Sequence, residues 1–377
     1  MSLHLADLPT PALLLERGRL LTNLEAMRAR ISARGVALRP HLKTAKSAKV
    51  AELATEGASG GITVSTLREA EYFFDHGFRD ITYAVGIVPA RLGRVAALQD
   101  KGARVQILTD NLTAAGEIAQ YAQAHDASFR VLVEIDTGDR RAGLLPDSPD
   151  LLDIAGALHT APGVELLGVL THAGQSYDCG SIAEVRAVAE LERDGVVAAA
   201  RRLRDAGLPC PVVSAGSTPT AVHADDLTGV TEMRPGCYMF FDLDQLVLGS
   251  CARDDLALSV LTTVIGHNRH AGHLLLDAGA LALSKDVSAT RWRPEVGYGE
   301  VCDPASLTPY PGLFVGSVNQ EHGVVPVTDP EAFALLPVGS QVRVLPNHAC
   351  MTAAAYERYL VVEDGAVIDD WDRVNGW

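Results

Sequence analysis

Lys43 ends a short apolar run in Arg39-Pro-His-Leu-Lys-Thr-Ala-Lys46. About 300 residues later, Pro346-Asn-His-Ala-Cys350 presents an imidazole and a thiol two positions apart. A lysine whose stem lies in a partly dry site has a lowered pKa and serves as nucleophile or base. On an extended chain, residues two apart share a face, as two ligands of one ion must. If the fold brings the two stretches together, a Schiff-base lysine lies beside a metal, which implies carbonyl chemistry assisted by a Lewis acid. Each element alone has a plainer reading: an exposed loop lysine followed by the solvated Lys46 and Lys49, and a strand-end histidine beside a buried cysteine. A structural zinc site takes four protein ligands, but a catalytic one keeps positions open, so His348 and Cys350 plus substrate suffice. Thiolate and imidazole suit Zn²⁺; Mg²⁺ or Mn²⁺ prefers oxygen.

Other residues could surround such a centre. Gly216-Ser217-Thr218 closes an apolar run, and small residues with two hydroxyls and consecutive N–H groups can cradle a phosphate. Gly236 and Tyr238, in Arg234-Pro-Gly-Cys-Tyr238, could complete that cup. Arg141 could direct a guanidinium toward a ring or a carboxylate, or be one of two solvated arginines. His172 could flank a cofactor ring, and Tyr177 could hydrogen-bond near an imine. A second substrate carboxylate would want a partner such as Gln320, His322 or Arg141.

The elements that must position these groups alternate in type. Strand-like runs cover Ala12–Leu15, Ala37–Lys43, Gly61–Ser65, Ile81–Val85, Arg104–Thr109, Phe129–Asp136, Leu166–Ala173, Pro211–Ala215 and Glu232–Phe240. Between them, stretches such as Arg17–Arg34, Leu112–His125 and Ile182–Ala206 carry helical periodicity. Strands apolar throughout, alternating with amphipathic helices, mark a parallel sheet covered on its outer side. Eight or so such units predict a (β/α)₈ TIM-type barrel over residues 1–242, reactive groups sitting at the C-terminal strand ends. After Asp242 the runs are Val- and Leu-rich and separated by turns, which predicts an antiparallel β-domain over 243–377, with the first ten or so residues able to join it.

The 377 residues carry a formal net charge of −15, which argues against a nucleic-acid or anionic-membrane surface. Six scattered cysteines with no CxxC, and an N-terminus without a basic, apolar leader, predict reduced thiols in a cytoplasmic protein.

Taken together, the segments resemble the fold-type III pyridoxal-phosphate enzymes with an alanine-racemase-like barrel, in the branch of D-serine dehydratase and D-threonine aldolase. The match rests on Thr10-Pro-Ala, Arg39-Pro-His-Leu-Lys-Thr, Gly-Ile-Thr-Val-Ser65, Glu134-Ile-Asp-Thr-Gly, Leu-Thr-His-Ala-Gly174, Gly216-Ser-Thr-Pro-Thr, Arg234-Pro-Gly and Pro346-Asn-His-Ala-Cys, in order along nearly the whole chain. The resemblance implies that Lys43 holds pyridoxal 5'-phosphate as a Schiff base. It also implies that His348 and Cys350 bind a divalent metal (Zn, Mn or Mg) and that the protein is a homodimer. Aldolases of this branch carry His-Cys-Asp at the metal position, so His348-Ala-Cys350 is the dehydratase-like form. The implied reaction is loss of water from a 3-hydroxy-D-amino acid, D-threo-3-hydroxyaspartate or D-serine, giving a 2-keto acid and ammonia. The alternatives are a retro-aldol cleavage to glycine and an aldehyde, a racemase, for which no second base is assignable, and a non-catalytic pyridoxal-phosphate carrier.

Overall fold

The computed structural model describes residues 3–58 and 60–377; the reading of the N-terminus as leaderless begins on Met1 and Ser2, which lie outside them. The chain forms two compact units: 1–25 with Cys237–Asn375, and Ala26–Gly236 with Gly376–Trp377. The predicted line at Asp242 thus moves to Gly236, and the N-terminal share of the β unit extends to Glu25.

The second unit is the barrel. Its strands are Ala37–Leu38, Ile62–Val64, Asp80–Gly86, Arg104–Thr109, Phe129–Ile135, Val164–Thr171, Val212–Ala215 and Glu232–Met233. Each pairs in parallel with its successor from the second strand to the eighth, and the eighth pairs with the first. A parallel bridge between His41 and Thr63 joins the first strand's extension to the second. Helices follow most strands. Leu112–His125 has the predicted bounds, and Asn111 caps it by accepting the N–H of Ala114. Ile182–Asp205 is capped by Ser181 and buries Val185, Ala189, Val196 and Leu203 along one stripe. Two helices carried no strong periodic signal: Ala48–Thr55 and the six-residue Thr218–His223.

Ala12–Leu15, expected among the barrel strands, lies instead in the β unit. As Ala12–Glu16 it pairs antiparallel with Leu258–Asn268 and parallel with Arg358–Glu363. All four apolar residues are buried, so the run has no alternation to separate a barrel strand from the centre of another sheet. The β unit also holds Gly299–Cys302, Gly323–Pro326 and Ala366–Asp372, which the apolar pattern did not mark. Among the described residues no helix is long and apolar enough to cross a membrane.

One ion-pair network ties the barrel together near the first strand. Arg39 reaches Glu232 on the eighth strand and Asp80 on the third, each at 2.7 Å, with its own side chain 6% exposed and that of Glu232 7%. Glu232 also accepts a 2.6 Å hydrogen bond from Ser214 on the seventh. Removing one partner of a buried pair leaves the other uncompensated, so Arg39→Ala is expected to destabilise the protein by about 3–5 kcal/mol. Thermal unfolding should show a fall of several degrees, and an unchanged midpoint would contradict it.

Candidate active site

Lys43 is not on a strand. The first barrel strand stops at Leu38, and Pro40 removes an N–H from any longer ladder. His41 donates its N–H to Pro235 and Leu42 to Thr63, so the chain is held from both sides immediately before the lysine. A turn follows, closed by the Lys46 N–H on Leu42 at 2.7 Å, with Lys46 at φ +50°. Lys46, expected to be solvated, pairs with the buried Glu69 at 3.1 Å, and Glu69 also accepts the Ser65 N–H at 2.9 Å. That pair fixes the turn bearing Lys43 against the end of the second strand.

A cavity of about 380 Å³ opens at the C-terminal strand ends, lined among others by Lys43, Ser65, Glu134, Arg141, His172 and Arg234. Cofactor pockets commonly span about 300–1,000 Å³. Burial, with the charges of Lys43, Arg234 and Arg141 added, drives His41 well below its ordinary pKa. Burial followed by Lys43 and Arg141 pushes His172 down to about 3. Both rings are therefore neutral; the Lys43 N–H points at Nδ1 of His41 over 3.4 Å, and Nδ1 of His172 lies 3.3 Å from the Gly216 carbonyl. Burial, then Asp110, raises Glu134. Lys43, Arg141 and Arg234 thus line the cavity beside a carboxyl that resists ionisation, with Asp139 3.5 Å from Arg141 and Glu232 and Glu192 acting on Arg234.

Gly216-Ser217-Thr218 follows the seventh strand, and Arg234-Pro-Gly236 the eighth. The buried Glu192 spans two loops, accepting the N–H groups of Ala173 at 3.0 Å and Gly216 at 2.9 Å. Ser217 caps the short helix reciprocally with Thr220, which occupies its N–H, and its hydroxyl meets Ser176 at 2.8 Å. The Gly236 N–H reaches the Thr218 hydroxyl at 3.2 Å. A Cβ on Gly236 would come within 2.9 Å of the His41 carbonyl oxygen, so only glycine lets that loop close on the lysine turn. Tyr177 lies in the 3₁₀ turn Gly174–Asp178, just past His172. Tyr238 is fully buried in the 3₁₀ turn Cys237–Met239 of the β unit; the predicted strand Glu232–Phe240 ends at Met233.

In the β unit, the stretch expected to be extended turns a corner. The strand Gln341–Pro346 ends at proline, and His348 sits directly before a short helix, Ala349–Ala353, which contains Cys350. Asn347 pins the corner by accepting from Ala289 at 3.0 Å and donating to Gly297 at 2.7 Å. Asp242 receives the Ala349 N–H at 2.8 Å. The imidazole and thiol face a third donor the sequence did not reveal, Cys237. One ligand atom from each of Cys237, His348 and Cys350 lies within 4.8 Å of the others, and the two sulfurs are 3.8 Å apart. Asp286 bonds Nδ1 of His348 at 2.8 Å, which leaves Nε2 for an ion, as carboxylates behind metal-binding histidines do. Burial pushes His348 down, but Asp286, Cys237 and Asp242 overcome it and lift it to about 11. Burial raises Asp244 to about 7, with the Asp242 charge adding to it. The same field that holds a proton on the imidazole attracts a cation. Gln320 and His322 are exposed, on the turn before Gly323–Pro326; their backbone packs on Gly279.

Two family models match the chain: alanine racemase, N-terminal domain, over residues 15–244, and putative serine dehydratase domain over 257–362. The chain belongs to this family of alanine-racemase-like enzymes, within its dehydratase branch. It is 45% identical to D-threo-3-hydroxyaspartate dehydratase from Delftia sp. (strain HT23), over 99% of both chains, and 30% identical to D-serine dehydratase from Dictyostelium discoideum, over 98% of both. The solved structure of the Delftia sp. HT23 enzyme superposes with a TM-score of 0.97 at 44% identity, covering 100% of each chain.

His172 binds a proton less readily folded than unfolded, so between pH 6.5 and about 3 the unfolded state holds more protons and stability falls as pH falls. The cofactor-free protein should therefore lose thermal stability on acidification from pH 7 to 5, and His172→Asn should flatten that slope. Equal slopes for the two proteins would contradict the neutral, buried imidazole.

Proposed function

We propose that the chain is a pyridoxal-phosphate- and divalent-metal-dependent dehydratase, a carbon–oxygen lyase. It removes water from a 3-hydroxy-D-amino acid, D-threo-3-hydroxyaspartate or D-serine, and releases a 2-keto acid and ammonia. The observation that carries the reading is the imidazole of His348, backed by Asp286 and beside the Cys350 thiol, all inside the segment that matches the serine dehydratase model, with the Cys237 thiol meeting them from outside it. The barrel cavity fits the cofactor: it offers an amine, two neutral rings and the guanidinium groups of Arg141 and Arg234.

Lys43 would hold the cofactor through its amine, which is also the base placed to take a proton from Cα. Pyridoxal phosphate, when bound, supplies the electron sink for charge developing at Cα. His172 flanks the ring, Arg141 orients an anionic group, and Tyr177 hydrogen-bonds near the amine. Gly216, Ser217, Thr218, Gly236 and Tyr238 form the phosphate end. Since the N–H of Ser217 is taken by Thr220, the hydroxyls of that turn carry more of the recognition than its backbone. His348 and Cys350 would hold the divalent ion, which would supply Lewis acidity toward the substrate's β-hydroxyl. Gln320 and His322 are candidates for the substrate's side chain. A cytoplasmic homodimer belongs to the same reading, on the strength of the family resemblance.

Thiol donors favour elimination over retro-aldol cleavage, because the aldolase form of the resemblance has Asp in the second metal position. Lys43→Ala should lose the visible cofactor absorbance. His348→Ala should keep that absorbance while ammonia release drops about 10²- to 10³-fold, the scale of losing one preorganised electrostatic partner. Undiminished ammonia release by His348→Ala would refute the metal's role.

A further inference from the structure

We infer that Cys237 is a third protein ligand of the metal, so that the ion is held by two thiolates and one imidazole and keeps one position for substrate oxygen or water. This rests on the dehydratase reading, in which His348 and Cys350 bind the metal.

Three observations support it. Cys237 lies 113 residues before Cys350, yet the two sulfurs sit 3.8 Å apart. A disulfide needs about 2.05 Å. A tetrahedral ion bonded to each sulfur at about 2.3 Å separates them by about 3.8 Å, so the spacing is that of two corners of a zinc tetrahedron. The imidazole completes the face, with all three donor atoms within 4.8 Å of one another. Lastly, both sides of the set are held. The 3₁₀ turn Cys237–Met239 is buried, and its start is anchored by the Phe241 N–H on the Cys237 carbonyl at 2.7 Å. On the other side, Asp286 fixes the ring of His348, and Asp242 and Asn347 fix the corner that carries Cys350.

Two thiolates and an imidazole form a soft donor set, suited to Zn²⁺ and poorly suited to Mg²⁺ or Mn²⁺. Three protein ligands with an open position is also the arrangement of catalytic rather than structural zinc. Cys237 therefore decides which metal the enzyme keeps.

The test is X-ray absorption at the zinc edge on the pyridoxal-phosphate-loaded wild-type protein and on Cys237→Ser, with competition by a chromogenic chelator for affinity. Wild type should show two sulfur neighbours at about 2.3 Å. Cys237→Ser should show one, and should lose zinc affinity by tenfold or more while its preference for zinc over magnesium narrows. Zinc bound with a single sulfur in wild type would overturn the role of Cys237 and leave the dehydratase reading standing. Failure to bind zinc at all would overturn the role of Cys237, and the dehydratase reading, which needs only a divalent ion, would then be tested with magnesium or manganese. Because the wild-type neighbour count needs no variant, misfolding of Cys237→Ser cannot mask the answer.

Discussion

A buried imidazole with two thiols, and carboxylates behind them, cannot all take their charged forms unless a cation joins them. In this β unit, Asp286 is bonded to His348, Asp242 to the backbone beside it, and the two cysteine sulfurs face the same ring. His348 is the group whose charge eases all three of Asp242, Asp244 and Asp286. Without an ion the set settles by protonating the imidazole and holding the Cys237 thiol neutral. In the proposed metal-bound form, the same carboxylates would orient the ring and the thiols would serve as ligands. The local backbone serves that exchange: Pro346 ends a strand, Asn347 is tied at both ends of its side chain, and a five-residue helix begins at Ala349.

The barrel solves a different electrostatic problem. Lys43, Arg141 and Arg234 face a cavity in which His41 and His172 are kept neutral by burial and by those cations, while Glu134 resists ionisation. Those guanidinium groups are answered in part by Asp139 beside Arg141 and by Glu232 and Glu192 acting on Arg234. Structural ties brace the loops around the cavity: Arg39 is neutralised by Glu232 and Asp80, and Glu192 binds two loop N–H groups. The loops at the strand ends are thereby fixed by buried hydrogen bonds and not by apolar packing alone.

Much of this was legible along the chain, for reasons that can be named. The alternation of buried apolar runs with amphipathic helices follows from a parallel sheet covered by helices, and Leu112–His125 ends where its periodicity ends. Lys43, His172, Gly216 and Arg141 all line the cavity because each lies in the segment that follows a barrel strand, directly after it for His172 and Gly216 and in the loop beyond it for Lys43 and Arg141, and such ends are readable as the points where apolar runs meet glycine and charge. Ala12–Leu15 misled because a fully buried strand looks the same in either kind of sheet. Glu134 and Arg234 stood inside the diagnostic motifs, but no spacing rule assigns an inward-facing charge. Cys237 left no signal: its partners come from a strand-to-helix corner more than a hundred residues away, and only the folded chain places it beside them. His348 and Cys350 meet through that corner and not through the shared face of an extended strand.

The central claim is elimination at the β-hydroxyl of a D-amino acid, and product analysis tests it most directly. Incubated with D-threo-3-hydroxyaspartate, pyridoxal phosphate and zinc, the protein should release ammonia and a keto acid in equal amounts, with none formed once the metal is stripped. Glycine and an aldehyde in their place, or ammonia release indifferent to the metal, would contradict it.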